Sequence, residues 1–534
     1  MKKFIFLALM VSLAGAQAAT PQRGRDSLRQ LLRLPSINTQ FGFNFQQSRG
    51  FVFETGERDA AREVRELEQA LANEPPNPER LFQLGRLQEQ AGNHVSARNA
   101  YAKAVQLARK QIESRPEDAL LLVALGQSLA EMSEHVEAES VLRRATRLAP
   151  REARAWLALG VFLDQRAWAE LMRHLNLPPS ASFDLLVGSL SQRKPSGEQV
   201  EAARKYVEEA GACLDTAIRL APDEGEAYGR RALCRGNQNV LRVLVNAAGG
   251  QAVEPSALLK AAVARANTAD VWRRAELNRN NHEALGQAVF YEVMAWLLDQ
   301  AREEPPDLAD GDFWDQLPDE VKARVRDGLG RLEEIAQGAN AKHAAGALEM
   351  RGIIQLIVQG DKTGGETSFR RAVALDPSRG QAWELLMIAL ADMKRNDDLL
   401  RVCEQRVQQQ DTPRARLALA KAHERLKQYD RAEKQLEAGL RFNQNDFAVN
   451  LGLCALLARR ANDDDTLRRA GEHLQRAIRA SNPPSRERLI DLNLTGGIYF
   501  ALAGDAPAAR RMLRQVIQID PDNEAAKAAL TAVN

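Results

Sequence analysis

The chain has 534 residues, of which 73 are Lys or Arg and 71 are Asp or Glu, and 45% of its residues are hydrophobic. That apolar fraction is sufficient for a folded core and excludes global disorder. The near-neutral charge leaves no basic footprint for nucleic acid, and the mean hydropathy of −0.39 excludes a chain with many membrane spans.

The first predicted element is a secretory signal peptide over residues 1–18. Two lysines precede an apolar stretch from Phe4 to Ala14, and Ala16-Gln17-Ala18 fits the small-x-small cleavage pattern. The apolar stretch is too short to span a bilayer, which takes roughly 20 helical residues. We therefore expect an exported mature chain without a membrane span, in the periplasm or outside a bacterial cell. An uncleaved membrane anchor is the alternative.

Residues 19–57 form an N-terminal arm that is rich in phenylalanine. Five of the 16 phenylalanines lie here in alternating positions, namely Phe41, Phe43, Phe45, Phe51 and Phe53. Alternation with a period of two favours extended structure. The arm either packs on its own chain or stays available for contacts with other molecules.

From residue 58 onward the chain has a helical periodicity that recurs. The clearest copy spans 119–152, and its apolar and small residues are Leu122, Leu125, Gly126, Leu129, Ala138, Leu142 and Ala145. Within each helix these residues lie on one face, and the glycine lets the paired helix approach closely. Pro150 ends the second helix. The same spacing recurs around Gly85 and Gly160.

The repeats form two predicted arrays separated by a divergent segment. An N-terminal array covers 58–236 and contains an insertion at 164–201, and a C-terminal array covers 340–521. Residues 237–339 are helical in composition but lack the repeat signature, so they are either expanded repeats or a separate helical subdomain. Residues 522–534 are predicted to form a capping helix, because a terminal repeat needs a polar outer face.

These hairpins resemble the tetratricopeptide repeat (TPR) family, whose unit is a 34-residue helix–turn–helix. The resemblance implies an all-α fold, a right-handed solenoid of helical hairpins with an expanded central segment. It also implies a concave groove, lined by fixed positions of each first helix, that binds proteins or peptides. Those positions here are Val123, Gln127, Leu157, Val161, Glu384, Ile388, Arg414, Leu417, Lys421, Leu451, Leu494 and Ile498.

This lining is largely apolar. We therefore expect the groove to bind an amphipathic helix or an extended hydrophobic segment, through burial worth roughly 25 cal/mol per Å². The lysine and asparagine residues with which some TPR proteins clamp a terminal carboxylate are absent. The groove is either open or filled by the insertion, the central segment or the N-terminal arm.

No motif in the sequence indicates catalysis, a metal or a cofactor. The seven histidines form no ligand pair, and the sequence contains neither a phosphate-binding glycine loop nor a nucleophile elbow. The four cysteines are predicted to be buried helix residues. If any two pair, Cys213 and Cys234 are the nearest in sequence.

The function predicted from these features is a non-catalytic exported scaffold for protein or peptide partners of the cell envelope or secretion machinery. One alternative is an envelope enzyme or a carbohydrate-binding protein built on a helical solenoid. A second is a self-associating, homo-oligomeric structural protein. An open groove favours the scaffold. Convergent carboxylates or histidines near Trp296, Trp314 or Phe313 favour the enzyme or carbohydrate-binding protein, and a concentration-dependent mass favours self-association.

Overall fold

The computed structural model describes residues 44–46, 50–52, 57–73, 75, 77–91, 93–177, 190, 196–248, 255–300, 313–480, 486–521 and 523–533. The predicted signal peptide, most of the arm and much of the predicted insertion lie outside these residues. The described residues divide into two compact units. The N-terminal unit ends at Asp361, and the C-terminal unit begins at Lys362.

The N-terminal unit begins with a short hairpin and continues as helices. Strands β1 (Asn44–Gln46) and β2 (Gly50–Val52) pair antiparallel, with Phe45 opposite Phe51. The helices are α1 (Glu57–Asn73), α2 (Pro78–Gln90), α3 (His94–Ser114), α4 (Ala119–Glu131), α5 (His135–Leu148), α6 (Ala153–His174), α7 (Gly197–Leu220), α8 (Gly225–Ala248), α9 (Pro255–Ala262), α10 (Thr268–Leu277), α11 (His282–Gln300), α12 (Phe313–Gln316), α13 (Asp319–Ala336) and α14 (Ala341–Ile357).

The described part of the C-terminal unit consists of helices and the turns between them. They are α15 (Lys362–Leu375), α16 (Gly380–Asp392), α17 (Asn396–Gln409), α18 (Pro413–Arg425), α19 (Tyr429–Leu440), α20 (Phe447–Arg460), α21 (Asp464–Ala480), α22 (Arg486–Leu502), α23 (Ala506–Ile519) and α24 (Glu524–Val533).

Consecutive helices pack as hairpins in both units, and the first helices of successive hairpins also contact each other. In the N-terminal unit α2 packs on α4, α4 on α6 and α6 on α8. In the C-terminal unit α18 packs on α20, and α20 packs on α22. Each unit therefore contains a layer of first helices and a layer of second helices, which confirms the predicted all-α fold of stacked helical hairpins.

Glycines mark the points where paired helices approach most closely. A Cβ atom on Gly126 would lie 2.6 Å from Cγ of Leu142, and one on Gly497 would lie 2.7 Å from Cγ of Leu513. A Cβ on Gly160 would lie 2.9 Å from Cγ of Leu214, so α6 pairs with α7 across a long connection. The close approach predicted at Gly126 and Gly160 is therefore confirmed.

Polar side chains cap the start of several helices, and residues in the left-handed region follow the end of several others. The Asp118 side chain accepts hydrogen bonds from the N–H groups of Leu120 and Leu121 at the start of α4. Just after α4, Ser133 has φ 67°, and Lys427 has φ 59° after α18. The N–H of the next residue then bonds a carbonyl five positions earlier, which closes the helix end and turns the chain into the second helix.

Aromatic side chains tie three first helices to the preceding second helix. Trp156 Nε1 donates to the carbonyl of Pro150 at 2.9 Å, and Trp383 Nε1 donates to that of Pro377 at 2.9 Å. The Tyr228 hydroxyl donates to the carbonyl of Pro222 at 3.1 Å. Each aromatic group thus packs its apolar ring while its polar atom is satisfied by a proline carbonyl.

The divergent segment 237–339 belongs to the same compact unit as the preceding hairpins. Its centre is α11, which contacts α10, α13 and α14. A buried carboxylate links these helices, because Glu292 accepts a hydrogen bond from Trp272 Nε1 at 2.9 Å and another from Arg324 at 2.7 Å.

All four cysteines are buried, and none forms a disulfide. Burial raises the pKa of the Cys213 thiol to about 11 and that of Cys403 to about 12. The thiols therefore stay protonated and pack as small apolar groups. The prediction of buried cysteines is confirmed.

Candidate partner-binding faces

The first-helix face of the N-terminal unit is the exposed side of α2, α4, α6 and α8. The four site residues predicted here lie on α4 and α6. Val123 is buried, whereas Gln127, Leu157 and Val161 are half-buried. The apolar side chains are therefore present at this face, but most of their surface is already covered.

Charged side chains connect helices across this face. Glu79 on α2 forms an ion pair with Arg154 on α6, which spans the intervening α4. Arg86 on α2 lies within electrostatic range of Glu226 and Arg230 on α8, and burial together with Arg230 lowers the pKa of Arg86. Helices two and three hairpins apart thus approach one another, so the face is concave and charged groups bridge it.

A buried acid–amide pair lies at the contact between α6 and α8. Asn237 Nδ2 is 3.0 Å from both carboxylate oxygens of Asp164, and both side chains are buried. Burial raises the pKa of Asp164 to about 6. The hydrogen bonds from Asn237, together with Arg230 and Cys234, favour the charged form, but the cost of desolvating the carboxylate is larger. Among the described residues Asn237 Oδ1 has no hydrogen-bond partner.

The first-helix face of the C-terminal unit is the exposed side of α16, α18, α20 and α22. Of the site residues predicted here, Leu417, Leu451 and Ile498 are buried in the hydrophobic core. Leu494 is half-buried. Ile388 is 39% exposed, which makes it an accessible apolar side chain on this face.

Two arginines on this face share one carboxylate. Glu384 on α16 is buried and binds Arg414 on α18 through two contacts, Nε to Oε1 at 2.5 Å and Nη2 to Oε2 at 2.7 Å. Arg406 on α17 is 2% exposed and lies 3.6 Å from the same carboxylate. Among the described residues its Nη1 atom has no hydrogen-bond partner. One carboxylate, that of Glu384, thus faces two guanidinium groups.

Lys421 lies further along α18 on the same face. Burial lowers the pKa of its ammonium group to about 8, although the nearby carboxylates of Asp491 and Glu424 act in the opposite direction. Glu424 is engaged by Arg459 at 2.8 Å. Within the described residues, Lys421 itself forms neither a hydrogen bond nor an ion pair.

The sequence pattern placed Glu384, Arg414 and Lys421 on this face, and the structure brings the first two into contact. It did not identify Arg406, which comes from a second helix. The available signal was its position: Arg406 follows Val402 and Cys403 on the apolar stripe of α17, where a charged residue needs a partner.

A separate cleft of about 1100 Å³ lies in the N-terminal unit between the ends of α10 and α13 and the start of α14. Its charged lining includes Arg273, Arg279, Arg331 and Glu334, together with His343. Charges of both signs are present, and none of the predicted site residues lines the cleft.

Among the residues that the structure describes, no group of three or more His, Cys, Asp and Glu residues could hold a metal ion. No described helix combines the length and the apolar character that a bilayer span requires.

Family models match two stretches of the chain. Both models describe tetratricopeptide repeats, and they match residues 123–170 and 413–446. The chain contains TPR repeats. The second match covers the hairpin of α18 and α19, which carries Arg414 and Lys421. A sequence comparison with curated proteins finds no match.

Solved structures give weak overlaps. The crystal structure of yeast Tom70 is 14% identical, with a TM-score of 0.36 over 89% of this chain and 92% of that one. The C-terminal part of a TPR repeat-containing protein from Cytophaga hutchinsonii is 15% identical, with a TM-score of 0.31 over 50% of this chain and 93% of that one. Pseudomonas aeruginosa pilF is 16% identical, with a TM-score of 0.29 over 46% of this chain and 96% of that one.

Proposed function

We propose that the chain is an exported, non-catalytic scaffold that binds protein or peptide partners of the cell envelope or secretion machinery on its first-helix faces. TPR repeats support the class of function, because stacked hairpins present extended binding surfaces. The observation that carries the proposal is the first-helix face of the C-terminal unit. There Ile388 is 39% exposed one turn after Glu384 on α16, and among the described residues Arg406 Nη1 has no hydrogen-bond partner.

The two faces support binding to different extents. The N-terminal face is bridged by the Glu79–Arg154 ion pair, so a partner would have to displace charged side chains that already satisfy one another. The C-terminal face exposes Ile388, and Lys421 forms no ion pair with any residue that the structure describes. We therefore assign the main partner contact to the C-terminal face, with Leu157 and Val161 as a secondary contact.

Site-specific photo-crosslinking tests this assignment. A benzophenone amino acid replaces Ile388 in one variant and Val136 in another. Val136 is the matched control because it is 81% exposed on the second helix α5. In bacterial envelope extract we expect a discrete protein adduct at position 388 and none at 136. Equal adducts at both positions, or no adduct at 388, would contradict binding at this face.

Export is tested separately on the full chain. The chain is expressed with a C-terminal tag in a Gram-negative host, and the purified protein is sequenced from its N-terminus. Cleavage after Ala18 predicts a mature chain that begins at Ala19 and is released with the periplasmic fraction. Recovery of an intact Met1 from the cytoplasm would contradict the export part of the proposal.

A further inference from the structure

We propose that the C-terminal first-helix face selects an acidic partner segment, in which two carboxylate side chains flank an aliphatic residue. This inference rests on the proposed function and specifies the chemistry of the partner. The carboxylates would bind at the Arg406–Arg414 cluster and at Lys421, and the aliphatic side chain would pack on Ile388.

The first step is the imbalance between negative and positive groups at Glu384. One buried carboxylate serves two guanidinium groups, and Arg414 already takes both of its oxygens. Arg406 Nη2 lies 3.6 Å from the same carboxylate, and Arg406 Nη1 has no partner among the described residues, although a buried donor without an acceptor is costly. The Arg414 side chain is 45% exposed, so an incoming carboxylate can bind Arg414 from solvent, while the buried Arg406 adds its positive charge from behind.

The second step is the spacing along α18. Lys421 follows Arg414 by seven residues, which is two helical turns, so the two cations lie on one side of the helix roughly 10 Å apart. A helical partner presents side chains with the same separation at positions i and i+7. Its two carboxylates can therefore meet both cations at once.

The third step is the apolar contact. Ile388 follows Glu384 by four residues on α16, so it lies one turn beyond the arginine cluster on the same side of its helix. An aliphatic residue midway between the two partner carboxylates would pack there. Packing of this kind adds hydrophobic stabilisation to contacts that salt would otherwise screen.

The fourth step is the charge of the unit. Residues 362–534 contain 28 Lys and Arg against 23 Asp and Glu, whereas residues 57–361 contain 38 against 46. The C-terminal unit is therefore cationic and the N-terminal unit anionic. The C-terminal unit therefore attracts an acidic segment, and the N-terminal unit repels it.

The test uses three fluorescein-labelled helical peptides of 15 residues, rich in alanine and glutamine. One carries Glu at positions i and i+7 with Leu at i+4, and its matched versions carry Gln or Lys in place of Glu. All are acetylated and amidated, so no terminal carboxylate contributes. In fluorescence anisotropy with the mature chain, we expect the Glu peptide to bind at least tenfold more tightly than the Gln peptide, and the Lys peptide most weakly.

Two variants of equal charge change localise the contact. Lys421→Gln is expected to weaken binding of the Glu peptide at least fivefold. Lys434→Gln, on the second helix α19, is the control and is expected to leave it unchanged. Lys421→Met is expected to raise the melting temperature while it removes binding, because a desolvated ammonium is lost. A raised melting temperature together with lost binding would show that Lys421 serves partner binding and not the stability of the fold.

Equal binding of the Glu and Gln peptides would overturn the inference, and so would an unchanged affinity in Lys421→Gln. The comparison of the three peptides on the unmodified chain decides the matter even where a variant fails to fold. The proposed function is judged by the crosslink at position 388, which does not depend on partner charge. A crosslinked partner together with equal peptide affinities would keep the scaffold and reject the acidic selectivity.

Discussion

The two units use the same helical hairpin but differ in how charge is distributed over their first helices. In the N-terminal unit an ion pair spans a whole helix, from Glu79 on α2 to Arg154 on α6. In the C-terminal unit the Arg414–Glu384 and Arg459–Glu424 ion pairs join neighbouring first helices. The two units thus share the kind of residue that packs between paired helices. They differ in the ion pairs that join helices across their first-helix faces.

The sharpest test of this comparison removes a carboxylate from each unit. Glu384→Gln leaves the buried Arg406 without its counter-charge and is expected to cost about 3–5 kcal/mol. Glu79→Gln is expected to cost less than about 1 kcal/mol, because both members of its pair are more than 40% exposed. Native-state hydrogen exchange on peptides covering 380–425 and 78–90 measures both effects.

Equal losses in the two units would contradict the comparison, because they would mean that the two carboxylates are equally desolvated. Glu404→Gln provides the control for general charge effects. It is exposed on α17, the same helix as Arg406, and is expected to leave exchange in 380–425 unchanged.

A second pair of variants tests the shared part of the design. Gly126→Val in the N-terminal unit and Gly497→Val in the C-terminal unit each place side-chain atoms where a leucine already packs. We expect losses of about 3 kcal/mol at both positions, measured by urea unfolding. Gly330→Val is the control, since a Cβ there would meet open space. A large loss at only one of the two glycines would show that the hairpins are not packed alike.

These packing positions are also the part of the molecule that the sequence predicts well. Glycine and leucine at helical spacing identify the hairpins because both partners lie within about 16 residues of each other. The exposure of side chains on the first-helix faces, by contrast, does not follow from the repeat pattern. Ile388 and Ile498 occupy the same position in their repeats, yet one is 39% exposed and the other is fully buried, in a cluster that includes Ala529 of α24. Repeat position alone cannot reveal which neighbour covers a residue.

The charged contacts were harder to predict for a related reason. Glu79 and Arg154 are 75 residues apart, and their contact depends on how far the stack curves between α2 and α6. Arg406 reaches the face from a second helix, outside the positions that the repeat pattern assigns to a groove. The local spacing of residues in the sequence therefore predicts neither the Glu79–Arg154 contact nor the position of Arg406.

A third prediction concerns the acid behind the N-terminal face. The pKa of Asp164 is about 6 in the folded chain and near 4 in the unfolded chain, so the folded state holds the proton more tightly. The contribution of this group to stability is therefore lost as pH rises from 4 to 6 and stays lost above 6. Asp164→Asn should raise the free energy of unfolding by about 2 kcal/mol at pH 7.

The same substitution should change stability by much less at pH 4, because the parent acid is then protonated in the folded state and about half protonated in the unfolded state. Urea unfolding of both proteins at pH 4, 5, 6 and 7 checks the prediction. A variant that is destabilised equally at every pH would mean that the carboxyl is charged and satisfied when folded.

The smallest effects are expected at the turns, where the two units again use one device. Ser133 and Lys427 adopt positive φ after α4 and α18, a conformation that costs a residue with a side chain roughly 1–2 kcal/mol. Glycine avoids that cost but loses more backbone entropy on folding. Ser133→Gly and Lys427→Gly should therefore each gain about 0.5–1 kcal/mol in thermal unfolding, and Gly504→Ala, at φ 85°, should lose a similar amount. Gains at one turn only would show that the left-handed endings differ in strain, and hence that the hairpins of the two units are not closed in the same way.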